Sequence, residues 1–269
     1  MSTATPIALD AGAFDLGEGR DAALCLHGLT GTPYEVRPIG EALAAAGVRA
    51  VGPLLPGHGA EPEVLARTGC EDWIDAVATG HRVLRQRHER VFLVGLSLGG
   101  LLSLHHAASA DVDALVVIGV PLRLRTRLAK LLPIVRHRWP YLPKRRGSDI
   151  RDAAARERHP SLRVMPTASA IELIRLQSRV RAALGRVTAP LLVAHGCLDA
   201  TAHPDDARRI AAEVASPERE LLWLPNSGHV APVDYDGPEL ARAVVDFLTR
   251  KRHPLRYVAP LSFVAPRGE

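Results

Sequence analysis

Ser97 stands two residues after Gly95 and two before Gly99, in the run Val91-Phe92-Leu93-Val94-Gly95-Leu96-Ser97-Leu98-Gly99-Gly100. A serine hydroxyl becomes a useful nucleophile when the backbone exposes it and a base stands ready for its proton. The residues before Gly95 form a short apolar run rich in β-branched and aromatic side chains, which reads as a buried strand. Leu101 to Ala108 reads as a helix, so this G-x-S-x-G lies between a strand and a helix, the setting of a nucleophile elbow. So sharp a turn holds the serine in a strained conformation, and Cβ atoms two residues to either side would strike the neighbouring strand and helix. Gly95 and Gly99 remove both collisions. A phosphate-cradling loop fits poorly, since no lysine follows the glycines and no G-x-G-x-x-G occurs.

A base and an acid stand further along. Asp199 follows an apolar strand over 189–195, and His229 ends Asn226-Ser227-Gly228-His229 after a strand over 220–224. The chain order Ser, Asp, His is the one that accompanies a G-x-S-x-G elbow. Asp205 and Asp206 are alternative acids, but they fall inside the next helix, too late for a strand end. His27-Gly28-Leu29, after a strand over 22–27, offers the Leu29 amide as a donor facing the nucleophile, and the Leu98 amide at the start of the elbow helix offers a second. His58, between two glycines, reads as structural.

These residues need a frame that brings strand ends together. Strands expected at 48–51, 91–96, 114–120, 189–195 and 220–224 alternate with helices expected at 34–46, 71–87, 202–215 and 239–250. That alternation implies an α/β fold with a mostly parallel sheet flanked by helices, and active residues at the carboxyl ends of strands. A chain of 269 residues, 47% hydrophobic and 23% charged, is long enough to bury one large core. Three cysteines at unrelated spacings, Cys25, Cys70 and Cys197, make neither a disulfide framework nor a metal set. Cys197 reads as a small apolar filler. With no leader-like or membrane-spanning run, the sequence points to the cytoplasm.

The net charge of +5 is unevenly spread. Residues 121–186 hold 17 of the 34 basic residues and 4 of the 29 acidic ones, so the rest of the chain is acidic. Leu124, Leu128, Leu131, Leu132 and Val135 fall at helical spacing among arginines. This pattern suits a lid over a pocket, with a weak contact to an anionic lipid surface as the alternative. No nucleic-acid module is recognisable. The expected organisation is a core of 1–120 and 187–250, a small basic lid at 121–186, and a tail at 251–269.

The set His27-Gly28-Leu29-Thr30-Gly31-Thr32, Pro56-Gly57-His58-Gly59, Gly95-Leu96-Ser97-Leu98-Gly99-Gly100 and Asn226-Ser227-Gly228-His229, with Trp73 in 68–75, resembles the bacterial carboxylesterase and monoacylglycerol lipase group of α/β-hydrolases. The likeness runs from about Ala22 to Leu248. It implies the α/β-hydrolase fold, a lid over an acyl-binding cleft, a carboxylic ester or lipid substrate and no cofactor. It puts a triad on Ser97, Asp199 and His229 and oxyanion amides on Leu29 and Leu98. Two features depart from the group: the lid is arginine-rich, and Ala202 replaces a common valine. A thioesterase, acyltransferase or lysophospholipid hydrolase would use the same triad, and a catalytically silent lipid-docking or receptor module would keep the fold alone.

Overall fold

The computed structural model describes residues 12–123, 132–135, 138–144 and 147–250. Among them a seven-stranded sheet carries the chemistry-bearing loops. Its strands are β1 (Phe14–Leu16), β2 (Asp21–Leu26), β3 (Val48–Gly52), β4 (Arg90–Leu96) and β5 (Ala114–Ile118), then, beyond a two-stranded ribbon of β6 (Tyr141–Pro143) and β7 (Val164–Pro166), β8 (Leu191–Gly196) and β9 (Arg219–Leu224). The spatial order is β1-β3-β2-β4-β5-β8-β9, and only the β1–β3 pairing in this sheet is antiparallel. The chain runs from β2 outward to β3, then crosses back to lay β4 on the other side of β2. The strand order therefore reverses between β2 and β4, where open α/β sheets form their crevice. The loops holding His27 and Ser97 leave the sheet at that switch point.

The helices are α1 (Arg37–Ala45), α2 (Pro62–Arg67), α3 (Cys70–Arg85), α4 (Leu98–Ala107), α5 (Leu132–Val135), α6 (Ala153–Arg158), α7 (Thr167–Ala183), α8 (Pro204–Glu213) and α9 (Gly237–Thr249). The strand period of two sends alternate side chains to the two faces. Leu24, Leu93, Leu115 and Val117 join the apolar core under α3, α4, α7 and α8. Cys25, Val94, Val116 and Ile118 join a second core under α1 and α9. Each fully buried Leu, Ile, Val or Phe contributes about 1.5–3 kcal/mol, so both cores hold the strand ends firmly. α4 is apolar nearly all round, with Leu98, Leu101, Leu102 and Leu104 all buried, because the sheet, α3 and α7 enclose it. The helix that begins at the elbow is thus enclosed on nearly every side.

Several expected boundaries shift for local reasons. The helix expected over 34–46 starts as a tight 3-10 turn, Pro33–Glu35, and becomes α-helical at Arg37. Pro38 fits a first helical turn and disfavours a longer helix before it. The strand expected to reach 120 stops at Ile118, since Gly119 has φ of +54°. α2 was not expected; Pro62 opens it, in the same proline-led manner. Within 121–186, α7 packs on α2, α3 and α4, and its Leu173, Leu176 and Val180 belong to the main core. Most of the apolar stripe expected at 124–135, its arginines, and the tail at 251–269 lie outside the described residues. No helix among the described residues is long and apolar enough to cross a membrane.

Candidate active site

Ser97 sits between β4 and α4 with φ 53° and ψ −109°, a region an L-residue occupies at a cost of about 1–3 kcal/mol. Its neighbours enforce the turn. A Cβ on Gly95 would lie 2.3 Å from the Gly99 carbonyl, and one on Gly99 would lie 2.2 Å from the Leu26 carbonyl oxygen. Both obstacles are backbone and cannot swing aside. Gly95→Ala is therefore expected to lower stability by about 1–3 kcal/mol, read as a lower urea midpoint at unchanged m. An unchanged midpoint would show that the turn has room to spare.

Asp199 and His229 meet as a hydrogen-bonded pair. The Asp199 carboxylate is fully buried, and its Oδ2 accepts from His229 Nδ1 at 2.8 Å. Its Oδ1 accepts the amides of Thr201 and Ala202, each at 2.7 Å. Burial pushes the Asp199 carboxyl up, but the facing His229, the Ala202 amide and His195 outweigh it and hold it below the usual range. Burial likewise disfavours the charged His229 imidazole, yet the charge and hydrogen bond of Asp199, with Asp149 and Glu35 further off, leave its pKa raised. With Nδ1 bound to Asp199, His229 keeps Nε2 for other work. The Ile118–Gly119 dipeptide links the pair to the serine: the Ser97 amide donates to the Ile118 carbonyl at 2.9 Å, while a Cβ on Gly119 would come within 3.3 Å of His229 Nδ1 and 3.4 Å of Asp199 Oδ2. Asp205 and Asp206 lie in α8, where Asp206 Oδ2 accepts the Leu122 amide at 3.0 Å.

The loop after β2 faces the elbow, since a Cβ on Gly28 would lie 3.5 Å from Ser97 Cβ. His27 is buried and accepts the Leu55 amide at Nε2, which leaves the proton on Nδ1 to donate to the Gly28 carbonyl at 2.9 Å. Leu98 is the first residue of α4, so its amide has no acceptor one helical turn behind it, and the helix dipole favours an anion there. His58 lies against His27 and Trp73 and is pulled down to about 3 by burial, consistent with a neutral structural ring.

Several participants carry no local signal. Asp149 Oδ2 accepts the Ala200 amide at 2.7 Å and the Thr201 hydroxyl at 3.2 Å, while its carbonyl accepts the Val230 amide. Asp234 accepts the amides of Gly228, Arg151 and Asp152, each at 2.8 Å, and so ties the His229 loop to the same segment. His195, buried at the end of β8, places Nε2 3.6 Å from Asp199 Oδ2. Cys197, expected as an apolar filler, is exposed instead.

A mostly parallel sheet with a strained serine after β4, an acid after β8 paired to a histidine after β9, and a loop after β2 that faces the serine define an α/β-hydrolase. The chain belongs to the serine aminopeptidase family S33, which it matches over residues 17–236. It is 33% identical to a thermostable monoacylglycerol lipase of Bacillus sp. strain H-257, over 93% of this chain and 99% of that one. It is 28% identical to a carboxylesterase of Bacillus subtilis strain 168, over 88% and 96% of the two chains. Among solved structures, a metagenome-derived lipolytic enzyme from the LipS and LipT study superposes with a TM-score of 0.85 at 29% identity, covering 89% of this chain and 98% of that one. The monoacylglycerol lipase of Paleococcus ferrophilus shares the fold, with a TM-score of 0.75 at 20% identity over 88% and 97% of the chains.

Proposed function

We propose that the chain hydrolyses carboxylic esters of small alcohols, monoacylglycerols among them, through an acyl-enzyme on Ser97. The observation that carries this reading is the buried Asp199–His229 pair, at 2.8 Å, linked through Ile118–Gly119 to a serine in strained backbone. Relatives named as a monoacylglycerol lipase and a carboxylesterase, matched over nearly their whole length, support the substrate class.

Ser97 Oγ attacks the ester carbonyl as its proton passes to His229 Nε2, and Asp199 stabilises the imidazolium that forms. The carbonyl oxygen becomes an oxyanion held by the amides of Leu29 and Leu98; one such donor is typically worth about 3–4 kcal/mol in the transition state. The tetrahedral intermediate collapses, the C–O bond breaks, and His229 returns its proton to the departing alcohol. Water then repeats the attack on the acyl-enzyme, giving up a proton to His229, and the acid leaves with Ser97 restored. None of these steps draws on a cofactor. We read the described residues between 138 and 166 as part of a cap over the acyl cleft, and α7, which the basic-lid expectation of 121–186 included, as part of the core with 12–120 and 187–250.

Steady-state turnover on p-nitrophenyl esters from acetate to palmitate, on monoacylglycerols, on an acyl-CoA and on an amino-acid p-nitroanilide tests this reading. Ester and monoacylglycerol hydrolysis is expected to exceed the other two by at least about a hundredfold in kcat/KM. Preference for the anilide would make the chain an aminopeptidase, and preference for acyl-CoA a thioesterase. Either result overturns the proposal.

A further inference from the structure

The turn that presents the Leu29 amide rests on a buried carboxylate. Glu35 is 4% exposed and its partner His159 has a side chain 1% exposed, yet the hydrolytic steps use neither. A buried charge persists only where partners compensate its lost hydration. Glu35 Oε2 accepts the Gly28 amide at 2.7 Å, and Oε1 meets His159 Nε2 at 3.0 Å. The carboxylate fills the inside of the turn so closely that a Cβ on Gly31 would lie 2.1 Å from Oε1.

The peptide between Gly28 and Leu29 is held through its carbonyl. Its carbonyl accepts from His27 Nδ1 at 2.9 Å and from the Gly31 amide at 3.2 Å. In a trans peptide the N–H points opposite the C=O. Holding the Gly28 carbonyl therefore aims the Leu29 N–H the other way, and holding the Gly28 amide fixes the residue on which that peptide pivots.

The far end of the turn is held by the segment before and after α6. Lys144 Nζ donates to the Thr30 hydroxyl at 3.1 Å and to the Ser161 hydroxyl at 3.3 Å, and the Leu162 amide donates to the Thr30 carbonyl at 3.0 Å. Thr30 itself has a positive φ of 67°. His159 closes the circuit, with Nδ1 2.6 Å from the Ser148 hydroxyl, which also meets the Ser161 hydroxyl at 3.0 Å.

We propose that Glu35 and His159 form a positioning pair that aims the Leu29 amide at the oxyanion, so that the oxyanion hole is complete only when Lys144 and residues 147–162 are seated on the turn. The pair acts through the Gly28 amide and does not touch the substrate. This inference rests on the reading of Ser97 as the nucleophile and Leu29 as a donor. A donor that drifts by a fraction of an ångström loses hold of the transition state while ground-state binding survives, so kcat falls and KM stays.

The test compares Glu35→Gln, Glu35→Ala, His159→Ala and the double alanine variant on p-nitrophenyl butyrate. It also records affinity for a short alkyl boronic acid, which forms a tetrahedral anion on the serine, and the rate of labelling by a fluorophosphonate. Glu35→Gln keeps an acceptor for the Gly28 amide and is expected to hold kcat within about threefold. Glu35→Ala is expected to lower kcat about a hundredfold, with KM changed by less than about threefold and boronate affinity falling in step with kcat/KM. His159→Ala should cost about tenfold, and the double variant should be no worse than Glu35→Ala, because both act on one amide. A raised KM at unchanged kcat, additive losses, or a glutamine as damaging as alanine would overturn the proposal. Should Glu35→Ala fail to fold, Glu35→Gln and His159→Ala still decide it. If the unaltered protein takes no fluorophosphonate on Ser97, the catalytic reading has failed, which is a different result from labelling that ignores these variants.

Discussion

Ser97→Ala is expected to lower ester turnover roughly a millionfold while leaving the fold intact. The size follows from losing the proposed nucleophile altogether: what survives is the contribution of binding and of the proposed oxyanion amides to direct attack by water. The fold should survive because what shapes the turn is backbone, with the Ser97 amide on the Ile118 carbonyl and the glycines at 95 and 99 clearing Gly99 and Leu26. Ser97→Gly sharpens the expectation. Glycine tolerates a φ of +53°, so this variant should be as inactive as the alanine one and more stable than the unaltered protein by about 1 kcal/mol. Urea titration of the three proteins, with turnover measured on the same preparations, checks both statements. Appreciable turnover by clean Ser97→Ala, or a glycine variant less stable than the alanine one, would contradict them.

Asp199→Asn is expected to cost about four orders of magnitude in kcat, through the tautomer of His229 and with little change of shape. The amide oxygen can still accept from Thr201 and Ala202, which keeps the loop in place. The amide nitrogen then faces His229 Nδ1 as a donor. Nδ1 must accept, the ring proton moves to Nε2, and that nitrogen can no longer take the proton of Ser97. The pH profile supplies the sign. As the proposed base, His229 must be neutral, and the buried Asp199 charge now raises its pKa, so kcat/KM of the unaltered enzyme is expected to climb as pH rises through that raised value. Without the charge, burial pulls the imidazole down against only the more distant Asp149 and Glu35, and the acid limb of the residual activity should move to lower pH. A limb that stays in place, or moves to higher pH, would mean that Asp199 is not the group that governs this histidine.

Much of this site could be read from local sequence because its demands are local. Gly95 and Gly99 are needed within two residues of Ser97, and the strand before them announces itself by apolar content. Asp199 and His229 were legible through their places just after strands and their order in the chain. The parts that escaped reading depend on contacts across long separations. Glu35 looks like a polar position on an amphipathic helix, but the 3-10 turn at Pro33–Glu35 points its carboxylate inward beneath the loop after β2. Its partner His159 lies 124 residues later, in a stretch whose dominant feature is its basic charge. Asp149 and Asp234 brace the acid and histidine loops in the same non-local way. Gly119 looks like the tail of a strand; its positive φ and the approach of His229 and Asp199 together explain its lack of a side chain. α7 shows how a charge count misleads: its arginines belong to a basic stretch, while Leu173, Leu176 and Val180 are spaced for a helix packed into the core.

The most direct measurement of the central claim is intact mass of the purified protein after a serine-directed fluorophosphonate, followed by peptide mapping and by turnover of p-nitrophenyl butyrate on the same sample. One adduct per chain, mapped to Ser97, with activity lost in proportion to labelling, is the predicted result. An adduct on another residue with full loss of activity, or unmodified Ser97 in protein that still turns over ester, would contradict it.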